Sequence, residues 1–251
     1  MPKLLTIDDV RFYLYLSKSK VDMLYGQMYA PSGRKRRTLS AKIPILSAST
    51  ESESQETIEL DRKLRLVEEE LATRQIIGTV EEPKTYFRAT IPMRWGTFHD
   101  NGERPDDEPA LVYFGGFDKA GPLVVGLGGS SKHVIGWEGA TSTWSRSATP
   151  TIVHWLMAGL QQDGPPTSLL WWDEKREEDE LFAAMAIALH NLKPPTQDLE
   201  FLAKTLTSGT VSGYESFIGV PSARVILGTP LYVAQAHPLP DDNSWGLDDQ
   251  W

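Results

Sequence analysis

A chain of 251 residues with 40% hydrophobic and 24% charged side chains has a globular composition, which excludes a wholly disordered or fibrous protein. Its net charge of −9 speaks against general nucleic-acid affinity, and the absence of cysteine excludes a disulfide scaffold, a thiolate zinc site and a cysteine nucleophile. The opening MPKLLTIDDVRF has neither a signal-peptide core nor an Arg-rich transit pattern, and no run approaches the roughly 18 apolar residues of a membrane span, so the expectation is a cytoplasmic protein without membrane contact.

In chain order, FYLYL from Phe12 suits a first strand, because aromatic and branched side chains fit a half-buried pleated surface. Lys20 to Gln27 reads as a short helical turn. Residues 31–57, rich in Pro, Ser and charge, read as a loop-rich insertion holding the basic quartet Arg34, Lys35, Arg36 and Arg37, a solvated bend rather than a phosphate site. Over 57–77 the spacing of Leu60, Leu64, Val67 and Leu71 predicts a helix with one buried stripe. Glu59 with Lys63, Asp61 with Arg65 and Glu70 with Arg74 add i,i+4 pairs, each contributing a few tenths of a kcal/mol.

The middle of the chain predicts strands near Tyr86 to Trp95, Ala110 to Phe114, Leu123 to Leu127 and His133 to Trp137, parted by turn signals. Thr149 and Pro150 mark a helix start, with Val153, Leu156, Met157 and Leu160 on one face. Two more helices are predicted. One runs from about Glu177 to Leu192 with Leu181, Met185, Leu189 and Leu192 inward, and the other is capped by Thr196 with Leu199, Leu202, Ala203 and Leu206 inward. ARVILGTPLYVAQA then reads as two β segments around Gly228, Thr229 and Pro230. The sum is an α+β class: a mainly antiparallel sheet with about four helices packed on it, in a single core over residues 1–237, followed by an acidic flexible tail over 238–251.

GLGGSSKHVIG, residues 126–136, lends itself to two uses. Its glycines can supply positive φ to a hairpin turn, or its backbone amides and Ser130 and Ser131 can form a concave anion acceptor. The dinucleotide fingerprint fails because Ser131 stands where its third glycine belongs, and neither a Walker A loop nor a G-x-S-x-G elbow occurs. His99, His154, His190 and His237 lack metal-ligand spacing, and the acidic run at 172–180 fits the N-terminal end of a helix. Eight tryptophans are many for this length, and Trp137 and Trp144 suit a pocket or an interface as well as a core.

Four segments resemble one family: FYLYLSKSKVDMLYGQ (12–27), LVYFGG (111–116), VVGLGGSSKHVIG (124–136) and VILGTPLYVAQA (225–236). They are similar, in the same order, to an uncharacterised bacterial family frequent in actinobacteria that carries S-x-x-KVDML, GLGGS-x-x-H-x-xG and LGTPLYVA segments. The resemblance implies a shared fold and no particular reaction. Lys20, Asp22, Gly128, Gly129, Ser130, His133, Gly136, Thr229 and Tyr232 fall on its motif positions.

The functional expectation is a non-catalytic interaction or regulatory protein in a bacterial defence or signalling system. It would recruit a protein partner through helix 57–77 or tail 238–251, without metal or cofactor and without nucleic acid. The alternative is a binding module for a small anionic or nucleotide-like ligand, using Lys20, Asp22, Gly128, Gly129, Ser130, His133 and Trp137. An unrecognised hydrolase or transferase ranks behind both, because no nucleophile with a base can be named.

Overall fold

The computed structural model describes residues 11–29, 49–98, 111–118, 121–136, 174–192, 195–213 and 219–236, with the backbone alone at 49–57 and 174–180. Its strands are β1 (Phe12–Leu16), β2 (Ile77–Gly78), β3 (Tyr86–Phe98), β4 (Leu111–Asp118), β5 (Leu123–Ser130), β6 (Gln197–Ser212) and β7 (Ser222–Gln235). Helix α1 spans Lys18–Tyr29, α2 Ser49–Thr73 and α3 Glu174–Asn191.

The expected α+β fold, a mainly antiparallel sheet with about four helices packed on it, is corrected by the pairing, and the described residues hold three helices. β3 pairs with β4, β4 with β5, β5 with β7, β7 with β6, and β6 returns to β3. That ring is a closed five-stranded barrel, and closure removes the unpaired edges an open sheet would expose. Four of the five contacts are antiparallel and β5 runs parallel to β7. A parallel neighbour needs a long crossover, and α3 and β6 lie in that stretch of chain.

Three apolar clusters follow from the alternation of side chains along the strands. Phe87, Met93, Val112, Phe114, Val125, Leu127, Phe201, Ala203 and Ile226 fill the barrel with residues from all five strands. Tyr113, Val124, Val225 and Leu227, from the opposite faces of β4, β5 and β7, pack with Phe182, Met185 and Ile187 of α3. This approach is close: a Cβ on Gly126 would stand 2.6 Å from Met185 Cε. α1 and α2 cover the third cluster, where Val21, Leu24, Leu64, Val67 and Leu71 meet Leu202, Leu231 and Tyr232. β5 is buried along its whole length, which is why it reads as LVVGLGGS without polar alternation.

Several sequence expectations change here. The segment expected as a helix capped by Thr196 is strand β6. Leu199, Phe201 and Ala203 face the barrel while Leu202 faces α2, so apolar residues on both faces imitate a helical stripe. Of the loop expected over 31–57, residues 49–57 are helix and the rest, with the basic quartet, lies outside the described residues, and the expected pair of β segments at 223–236 is one strand, β7, with Pro230 inside it. The hairpin expected at 126–136 is instead the end of β5, a 3-10 turn over Ser131–His133 and one bridge from Val134 to Tyr15. Of its glycines among the described residues, Gly136 alone has positive φ. The helix expected from Thr149, Trp137 and the tail lie outside the described residues.

Candidate functional site

β7 serves two neighbours along one edge. β5 pairs with it through Leu127↔Gly228, and β1 joins from Leu16↔Tyr232. Between them, at Thr229 to Leu231, the edge is bridged by the start of α1. Ser17 N donates to Leu231 O at 2.8 Å, and Lys20 Nζ donates to Thr229 Oγ1 at 2.6 Å and to Pro230 O at 3.0 Å. Proline has no N–H to leave unpaired at such a break. The gap in the barrel wall thus places one partly buried lysine amine against a hydroxyl and a carbonyl.

The end of β5 forms the other side. Ser19 Oγ and His133 Nε2 are hydrogen-bonded at 3.3 Å, the His133 ring stands edge-on to Tyr15 at 5.8 Å, and Lys20 Nζ lies 5.8 Å from the Tyr15 ring centre. A Cβ on Gly129 would sit 2.5 Å from the Tyr15 hydroxyl, so this glycine admits the phenol rather than making a turn. The Tyr15 hydroxyl approaches Ser17 and the Ser130 backbone without hydrogen-bond geometry to either. Tyr15 OH, Ser17 Oγ and Ser130 Oγ are buried with no hydrogen-bond partner among the described residues. Such groups cost about 1–3 kcal/mol each, and in a polar pocket a bound water or ligand is the usual compensation.

The charges are one-sided. Desolvation brings Lys20 down to about 7, and no carboxylate among the described residues pairs with it. Desolvation, then the charges of Lys132 and Lys20, take His133 down to about 4. α1 has no acidic residue in its first turn, the end of a helix where negative charge is favoured. The Ser17 hydroxyl, beside the first amides of α1, does not cap them.

Of the residues singled out from sequence, Lys20, Gly129, Ser130 and His133 converge here. Asp22 does not: it pairs with Lys63 of α2 at 2.8 Å and ties the two helices together. Gly128 lies within β5 opposite Tyr113. Tyr15, Ser17, Ser19, Thr229 and Pro230 were not among the expected site residues. The available signal was a Thr-Pro pair inside a strand-like run, a place where proline marks an interrupted ladder. Among the described residues no group of His, Asp and Glu is arranged to hold a metal ion.

The two shifted bases give a pH signature. A lysine at about 7 in the fold and 10.5 unfolded binds fewer protons when folded, so stability is lost as pH falls from 10.5 towards 7. Relative to wild type, Lys20→Met is therefore expected to become steadily more stable as pH falls across that window, in urea melts at pH 10 and pH 7. His133, at about 4 against 6.5 unfolded, contributes stability present above pH 6.5 and lost as pH falls towards 4. A His133→Gln variant should show a flatter melting profile over that range.

Fold and site together define a small-barrel protein with a polar, cation-bearing junction in its wall. A family model described as a family of unknown function (DUF7019) matches residues 11–237, and the chain belongs to that family. No curated protein and no solved structure matches it. Among the described residues no helix is long and apolar enough to cross a membrane.

Proposed function

We propose that the protein is a non-catalytic regulatory module that reads a small anionic ligand at the junction of α1, β5 and β7. The observation that carries this reading is the meeting of three motif segments distant in sequence. Lys20 contacts Thr229 and Pro230, Ser19 contacts His133, and Tyr15 lies over Gly129. A phosphate or carboxylate there would restore the proton to Lys20 and complement the amino end of α1. The barrel topology by itself points to no particular function.

Thermal-shift titrations with inorganic phosphate, nucleoside monophosphates and small dicarboxylates test the reading. A ligand at one hundred times its Kd stabilises by about 2.7 kcal/mol, and Lys20→Met should abolish that gain. Binding at pH 8 should also take up protons, visible as a dependence of calorimetric heat on buffer ionisation. No shift with any of these anions would end the proposal. Gly129 is a poor probe, because a methyl group would press on the Tyr15 ring.

A second reading, recruitment of a protein partner through α2, is supported by Ile58, a large apolar side chain 70% exposed on that helix. Ile58→Asp should lose a co-purifying partner with unchanged melting temperature. If Ile58→Asp and deletion of residues 238–251 both leave the bound proteins unchanged, that reading fails.

A further inference from the structure

We infer that Lys20 is a reactive amine that captures an aldehyde or ketone as an imine, because its Nζ is fixed by Thr229 Oγ1 and Pro230 O and paired with no carboxylate among the described residues. Two fixed acceptors match the two N–H bonds of a neutral amine. The lone pair then occupies a remaining tetrahedral direction, which is the geometry a nucleophile needs. Desolvation, which brings this lysine to about 7, leaves about half of it as free amine at neutral pH, and desolvation is a recognised means of activating a lysine.

The step balances without an oxidant or reductant. The Nζ lone pair forms a C–N bond to the carbonyl carbon, and a proton passes from nitrogen to the carbonyl oxygen, giving a carbinolamine. A second proton moves from nitrogen to the departing hydroxyl, which leaves as water while the C=N bond forms. His133 stands at the same junction, with Nε2 on Ser19 Oγ at 3.3 Å. Desolvation and the charge of Lys132 hold it neutral, and a neutral imidazole can carry those protons. The carbonyl class rests on Lys20 itself. An anionic substituent on that carbonyl compound rests on the binding reading above.

The test is reductive labelling of wild-type protein at pH 7 with glyoxylate or propanal in the presence of sodium cyanoborohydride, followed by peptide mapping. Exposed Lys204 is the internal reference. Lys20 should label at least about tenfold faster than Lys204, because a lysine of ordinary pKa is almost wholly protonated at pH 7. The Lys20→Arg variant should show no adduct in that peptide. An advantage for glyoxylate over propanal that disappears in high salt supports both the imine and the anionic site. Equal fast labelling by the two aldehydes supports the imine and overturns the anionic reading. Labelling of Lys20 no faster than Lys204 with either aldehyde overturns the inference.

Discussion

Replacing Phe87 by alanine is expected to cost about 3–5 kcal/mol, the loss of a fully buried aromatic ring plus the cavity it leaves. The Phe87 ring is inaccessible to solvent, meets Phe201 of β6 edge-on at 5.4 Å and covers Gly228 of β7, where a Cβ would stand 2.7 Å from Phe87 Cε1. The contact from β3 to β7 crosses the interior behind β6, which pairs with both. Laid out flat through β4 and β5, the two strands would be three steps, or about 14 Å, apart. Through β6 they enclose the same interior. Gly228→Ala should therefore destabilise on its own, since the ring must move, yet cost far less in the Phe87→Ala background. Chemical denaturation of both single variants and the double variant gives the coupling directly. Additive losses would mean that Phe87 and Gly228 do not meet, and the barrel would have to be redrawn.

That pair also shows where sequence reasoning stops. Helix α2 was legible in detail, because its stripe of Leu64, Val67 and Leu71 is buried and its three expected ion pairs form, at 3.9, 2.9 and 2.8 Å. These are local relations fixed by the helical repeat. α3 was legible for the same reason, within three residues at its start. β6 was not, because a barrel strand can be buried inward by the barrel and outward by a helix, and apolar residues on both faces erase the period-two signal. Closure itself is a property of register among five distant strands, which no single segment carries. At the site, Ser130 and His133 were visible as polar groups among glycines, and Lys20 stood in the KVD segment. Their meeting with Thr229 and Pro230 depends on where β5 leaves β7 and β1 joins it. Asp22, two residues from Lys20, points to a different side of the helix and pairs with Lys63 instead.

Glu68 is the other position where a single change should be severe. Its side chain is only 9% exposed, yet its carboxylate faces two guanidinium groups, Arg11 at 2.7 Å and Arg88 at 3.3 Å. Arg11 also reaches Glu200 at 3.4 Å and lies 4.6 Å from the centre of the Tyr232 ring, while the Tyr232 hydroxyl donates to Glu200. The network clamps α2 and the start of β1 onto β3, β6 and β7, so it holds in place the strand that carries Tyr15 and leads into Lys20. Glu68→Ala leaves Arg11 with Glu200 alone and turns the 42% exposed Arg88 towards water, so the loss should approach but not exceed the roughly 3–5 kcal/mol of a fully buried pair. Glu68→Gln keeps an acceptor of the same shape and should cost less, with the difference between the two variants reporting the charge. Little screening by salt is expected, because the Arg11 contact is largely shielded from water. If the alanine variant melts within about 1 kcal/mol of wild type, as an exposed pair would, the network is peripheral, and some other contact must hold β1 and α1 against the barrel wall.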